Sequence, residues 1–285
     1  GYRTDATVQN NWDGRIDELG FWRKMLSSFE RSDLYGGGTG NTYSAGQSSF
    51  SWAMFDFGAT TLRWLTVAAG TGIYASSNLG TTFVTVGTNR TQNYQYFERS
   101  RNVLIATSEA RDRTMYWAGS VGTFFLTMAP NSAPDVKYSV NHQGFLILLN
   151  GADSNGTVRP RGFWYVDDAS QTTSAWPDSF DLPSSADDEV TAAFKIGRTL
   201  YVSTRYHIFR ISYLGGNPDW SYQIVKDFGF VPRTVRKATL KSSESGGGEV
   251  IIGMDWSRRV RAFNGTYDLI ISDNIEEDNS MSEFA

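Results

Sequence analysis

Five groups of short β-forming runs, separated by Gly- and Ser-containing turns, fill this sequence between Phe50 and Ser272. The first group starts at Phe50 and continues through 62–65, 73–75 and 83–86. The second holds 94–97, 103–106, 115–117 and 124–127, and the third holds 136–140, 145–149 and 162–166. The fourth holds 190–194, 199–202, 207–211 and 222–225, and the fifth 235–239, 250–253, 260–263 and 269–272. In most groups a polar-flanked strand precedes a very apolar one, then an aromatic one, then a variable one. An uninterrupted run such as Leu146-Ile147-Leu148-Leu149 predicts a strand covered on both faces.

The groups recur about every 45 residues, the period of four-stranded propeller blades. A jelly roll or sandwich also supplies many strands, but not this four-beat repeat. The expected fold is therefore all-β, a β-propeller of about five recognisable blades. Composition agrees: aromatics make up 14% of the chain and favour strands, and 28 Gly against 7 Pro suits many tight turns. The expected organisation is an N-terminal segment over 1–40, a Gly/Ser/Thr-rich linker over 41–49, the propeller over 50–279 and a tail over 280–285.

One hairpin is more specific. Ser76, Asn78, Gly80 and Thr82 alternate along a polar turn that ends in Phe83. This resembles the Asp-box of sialidase-like propellers, with Asn78 in place of Asp and Phe83 in place of Trp. The resemblance implies that Asn78 caps the turn, Gly80 adopts positive φ and Phe83 packs between blades. The motif is architectural and carries no chemistry.

Before the linker, Gly14-Arg15-Ile16-Asp17-Glu18-Leu19 and Leu26-Ser27-Ser28-Phe29-Glu30-Arg31-Ser32-Asp33-Leu34-Tyr35 resemble the end of a laminin-G-like or concanavalin-like jelly roll. Ser27 and Glu30 have the spacing of a capping box. A whole jelly roll needs on the order of eight strands, more than this segment supplies. Its large apolar residues Trp12, Phe21, Trp22, Leu26 and Tyr35 are expected to make an intermolecular or interdomain contact. The start, Gly1-Tyr2-Arg3-Thr4-Asp5, has neither Met nor a signal peptide and reads as a processed product or a fragment.

The succession from Asp187-Asp188-Glu189 through Gly229-Phe230-Val231-Pro232 to Asp255-Trp256 and Phe263-Asn264-Gly265 resembles β-propeller structural proteins of tailed-phage virions. That resemblance implies a non-enzymatic tail or connector component in a virion. Its partners would be copies of itself and other virion proteins. The alternative is an extracellular glycan-binding or adhesin propeller of sialidase-like architecture, with a host-surface glycan as partner. Arginines converging on the axis would favour that alternative, and a ring or helical oligomer the structural role.

The chemistry is sparse. Zero Cys excludes disulfides and thiolate catalysis, and His142 and His207 have no metal-like spacing. No cofactor, metal or catalytic residue is expected. No run of about 18 apolar residues is present to span a membrane as a helix. A sialidase needs three Arg around a carboxylate. The nearest sequence echo, Phe209-Arg210-Ile211-Ser212, lacks the Pro of the family and lies in the fourth group.

Asp153-Ser154-Asn155-Gly156 reads as a turn, and Asp187-Asp188-Glu189 as a solvated loop. Two basic concentrations stand out: Arg99, Arg101, Arg111 and Arg113, and then Arg233, Arg236, Lys237, Arg258, Arg259 and Arg261. In a connector they would line a DNA-conducting channel. A net charge of −4 and 30 acids favour an ordinary balanced surface, so DNA contact is not the favoured expectation.

Overall fold

The computed structural model describes residues 51–56, 63–78, 82–88, 90–91, 95–119, 125–128, 133–167, 176, 178–216, 219–240 and 248–272. The chain divides into two units, Gly1–Gln47 and Ser48–Ala285, and every described residue belongs to the second. Trp12, Phe21, Trp22, Leu26, Tyr35, Gly80 and the linker lie outside the described residues.

Twenty strands among the described residues form five four-stranded antiparallel sheets, each a meander of consecutive strands. Blade 1 is β1 (Ser51–Asp56), β2 (Arg63–Ala69), β3 (Gly72–Ser76) and β4 (Val84–Gly87). Blade 2 is β5 (Gln95–Ser100), β6 (Val103–Ser108), β7 (Met115–Trp117) and β8 (Leu126–Thr127). Blade 3 is β9 (Asp135–His142), β10 (Phe145–Ala152), β11 (Val158–Asp167) and β12 (Asp178–Asp181). Blade 4 is β13 (Val190–Ile196), β14 (Thr199–Thr204), β15 (Ile208–Tyr213) and β16 (Trp220–Lys226). Blade 5 is β17 (Arg236–Leu240), β18 (Gly248–Met254), β19 (Val260–Phe263) and β20 (Asp268–Ile270).

The sheets pack face to face as the blades of a β-propeller. β1 meets β5, β5 meets β9, β9 meets β13, and β13 meets β18. The first strands thus lie innermost and the fourth strands form the rim. The second strands are covered on both faces, which is why they are so apolar. Side chains alternate across each sheet. On β10, Leu146 and Leu148 enter the core shared with blade 2, while Ile147 and Leu149 enter the core shared with blade 4. On β14, Leu200 and Val202 face blade 3 and Tyr201 faces blade 5. Between blades 1 and 2, Trp64 and Trp117 meet edge to face at 5.2 Å, both essentially buried. Each buried side chain of this size contributes roughly 1.5–3 kcal/mol.

Three expectations need correction. Blade 3 has a fourth strand that the sequence pattern does not reveal, because Phe180 is the sole large apolar residue of Asp178–Asp181. Register supplies the missing signal: Phe163 pairs with Phe180, and their rings stack at 4.6 Å.

Phe83 is not buried between blades; it is 44% exposed. It precedes the rim strand β4, and the residue that this strand sends into the blade 1–2 core is Val86. Asp187-Asp188-Glu189 is not a solvated loop: Asp188 is 1% exposed and Glu189 is ion-paired. Asp188 is buried because it caps the turn after β14, accepting from the Arg205 backbone N–H at 2.8 Å.

Candidate functional site

Polar groups from four blades converge where the inner strands meet. Glu109 and Arg111 come from the β6–β7 turn, Lys137 and Tyr138 from β9, Asn150 from β10, Glu189 from the residue just before β13, and Arg233 from the loop before β17. Glu109 accepts from Tyr96 Oη at 2.7 Å and from Arg233 Nη2 at 2.6 Å. Arg111 Nη2 donates to Asn150 Oδ1 at 2.7 Å. Asn150 Nδ2 donates to Glu189 Oε2 at 3.2 Å and to the Val190 carbonyl at 2.7 Å. Lys137 Nζ closes the chain on Glu189 Oε2 at 2.8 Å. The Tyr96 and Tyr138 rings meet edge to face at 4.9 Å and bridge the two halves.

The backbone is shaped for this meeting. Arg111, Asn150 and Arg233 have φ of 53°, 55° and 66°, an uncommon region for residues with a Cβ. Asn150 faces a bulge in β11: it stays in register with β9, where Leu149 faces Tyr138 and Gly151 faces Val136, while on the other side Leu149 faces Phe163 and Gly151 faces Arg159, so residues 160–162 stand against it. A Cβ on Gly151 would stand 2.5 Å from Val136 Cγ1, so the close approach of β9 needs glycine beside the asparagine.

Burial by itself would raise the Glu189 carboxyl, but the Lys137 ammonium, the Asn150 amide and the Arg111 charge outweigh it and hold the group below its ordinary range. Burial together with Glu109 pushes the Tyr138 phenol well above its ordinary value, so it stays protonated. Two carboxylates and three cations are thus committed mainly to one another. The exception is Arg111 Nε, buried without an acceptor among the described residues. The cluster locks blades together.

A Ser-Asp-His grouping lies nearby. Ser184 Oγ donates to Asp188 and stands 3.3 Å from His207 Nδ1, and Asp188 Oδ2 is 3.7 Å from the same nitrogen. A nucleophilic relay needs hydroxyl and acid on opposite ring nitrogens. Here both share Nδ1, so the grouping braces the turn.

The other sequence candidates are dispersed. Ser76 Oγ donates to Asn78 Oδ1 at 2.7 Å, the Thr82 backbone N–H reaches the same oxygen at 3.0 Å, and Asn78 Nδ2 donates to Thr82 Oγ1 at 2.9 Å. Asp153 closes its turn in the same manner, from Asn155 N and Thr157 N. Arg210, the sialidase-like echo, bonds Gln223 on the exposed side of blade 4. Arg261 pairs with Asp255 and Asp268, and Lys237 pairs with Glu249. Of the two basic concentrations, Arg111 and Arg233 alone enter the axial cluster. Sequence reasoning missed Glu109, Lys137, Asn150, Tyr96 and Tyr138. The Asn150-Gly151 pair inside an apolar run was the usable signal.

No protein-family model matches the sequence, and no curated protein matches it. Among solved structures, the chain is similar to YCF48 bound to D1 peptide at 12% identity and a TM-score of 0.43, over 67% of this chain and 58% of that one. It is also similar to the SapL1 lectin in complex with alpha methyl fucoside, at 15% identity and a TM-score of 0.39, over 79% of this chain and 81% of that one. The β-propeller domain of the Trilobed protease from Pyrococcus furiosus matches at 10% identity and a TM-score of 0.37, over 79% of this chain and 73% of that one. Nothing of their ligands transfers with the likeness.

Proposed function

We propose that this chain is a non-enzymatic assembly propeller, a structural component of a phage-like virion that works through contacts with its own copies and neighbouring virion proteins. The observation that carries the reading is the rim. The fourth strands of four blades turn large apolar side chains outward: Val84 on β4, Leu126 on β8, Tyr222 and Ile224 on β16, and Leu269 on β20. Rim strands have unpaired backbone groups on one side, and apolar residues beside them favour strand addition or face contacts with another chain. The axial ion pairs supply the complementary property, blades held rigidly enough to present that rim. The N-terminal Trp12, Phe21, Trp22, Leu26 and Tyr35 remain part of this proposal as a further contact surface.

The test is particle size. The purified full chain should form oligomers by light scattering and electron microscopy, and Tyr222→Lys with Ile224→Lys should shift them to smaller species while circular dichroism stays unchanged. A wild-type chain that remains monomeric at all accessible concentrations would sink the proposal.

A second reading, the extracellular glycan-binding propeller, is favoured by an open cleft between blades 4 and 5 walled by Tyr206 and Trp256; the axial Arg111 and Arg233 add little to it, because Asn150 and Glu109 already hold them. Stacking on exposed aromatic rings is a common way of holding a sugar face.

A further inference from the structure

The cleft between blades 4 and 5 has a volume of about 370 Å³ and is built from two turns, β14–β15 with Arg205, Tyr206 and His207, and β18–β19 with Trp256 and Ser257. Buried acids fix both turns. Asp188 accepts from Arg205 N at 2.8 Å and Glu189 N at 2.9 Å. Asp255 accepts from Ser257 N at 2.8 Å and Arg259 N at 3.0 Å, and pairs with Arg261 Nε at 2.5 Å. Those carboxylates are therefore occupied, and the walls they hold are formed before any ligand arrives.

The Arg205 guanidinium is different. Its Cζ lies over the Tyr206 ring, 5.4 Å from the centroid, and over the Trp256 ring, 5.0 Å from the centroid. Among the described residues no side-chain hydrogen bond or close ion pair holds it, although its charge contributes to lowering the carboxyl pKa of the neighbouring Asp187. The neighbouring exposed acid, Asp187, is bonded to Tyr206 Oη at 2.9 Å. A guanidinium propped on aromatic rings keeps its donor fork in a fixed plane, which matches a carboxylate bidentately. Around it, Trp256 is 43% exposed and offers an apolar edge, while the exposed Asp227 and Ser257 offer partners for hydroxyl groups.

We infer that this cleft binds a carboxylate-bearing sugar, its acid group on Arg205 and its ring against Trp256. The inference rests on the glycan-binding reading and narrows it to acidic sugars. Isothermal titration calorimetry on the full chain, with glucuronate, glucose and acetate as separate probes, tests it. Glucuronate should bind at least about tenfold more tightly than glucose or acetate, and Arg205→Gln should remove about that factor, as expected for one charge-assisted pair. Arg205 is exposed at the cleft, so the variant should keep the wild-type circular dichroism and melting curve. Glucose binding as tightly as glucuronate would overturn the inference and leave the glycan-binding reading standing. Binding to none of the probes, equal binding of acetate, or an unchanged affinity in Arg205→Gln would overturn it too.

Discussion

The side-chain amide of Asn150 stands 2.7 Å from the carbonyl oxygen of Val190, so a side chain of blade 3 supplies the donor for a backbone carbonyl of blade 4. The same amide takes a hydrogen bond from Arg111 of blade 2. One residue therefore joins three blades. Replacing it by alanine leaves a buried carbonyl unmet, at about 1–3 kcal/mol, and keeps a Cβ at positive φ without the tolerance of asparagine for that region, at about 1–2 kcal/mol. Asn150→Ala is expected to cost about 3 kcal/mol by urea unfolding, and Asn150→Gly about 1 kcal/mol less. Wild-type stability in the alanine variant would refute the linking role.

Acid should loosen the blade 3–4 junction. Glu189 has a folded-state pKa below its unfolded value, since Lys137, Asn150 and Arg111 together outweigh the burial that opposes them. Its contribution is fully present above the unfolded pKa of about 4.3 and is lost as pH falls through the lower folded value. Glu189→Gln removes that dependence. Wild type is expected to lose more stability than Glu189→Gln on going from neutral pH to below about pH 4. Parallel stability profiles for the two proteins would show that the pair contributes nothing.

Glu98 should behave in the opposite sense. Burial raises its carboxyl pKa, and Lys195, at 3.8 Å, together with the Asn141 N–H, at 2.9 Å, offsets this in part. A carboxyl with a raised folded pKa costs stability as pH rises through that value. Glu98→Gln keeps an acceptor for Asn141 without the buried charge. The variant is expected to gain on wild type between about pH 4 and pH 7, read as urea midpoints. A gap that narrows over that range would show Glu98 to be better stabilised as an anion than its burial suggests.

The sequence made the blades legible and the axial cluster mostly illegible, for physical reasons. Leu146-Ile147-Leu148-Leu149 announces β10 because a strand buried on two faces needs apolar residues at every position. Asp178–Asp181 hides β12 because a rim strand needs one anchor, here Phe180 against Phe163. Glu109 and Arg233 are 124 residues apart and meet through blade packing, which no local pattern encodes. Asp188 was read as solvated because acids before a strand ordinarily are. What buries it is a set of backbone donors on a turn that arrives from elsewhere in the blade. Phe83 failed for a related reason: the local motif was visible, but Val86, three residues further on, is the one that enters the blade 1–2 core.

Gly229 marks the tightest backbone approach in the link between blades 4 and 5. A Cβ built there would lie 1.6 Å from the Thr204 carbonyl oxygen and 2.7 Å from its carbon. Backbone cannot rotate away as a side-chain end can, so Gly229→Ala must displace the β14 terminus or the loop. Either movement strains the bond from Phe230 N to Ser203 Oγ, now 2.8 Å, and disturbs Phe230, which is fully buried. Ordinary overpacking costs about 1–3 kcal/mol, and Gly229→Ala is expected to exceed about 3 kcal/mol by urea unfolding. Gly216→Ala is the matched control, because nothing lies within 4 Å of its built Cβ, and it should stay within about 0.5 kcal/mol of wild type. Equal stability of the two variants would mean that the blade 4–5 link yields freely, which would also undo the rigid cleft wall inferred for Arg205 and Trp256.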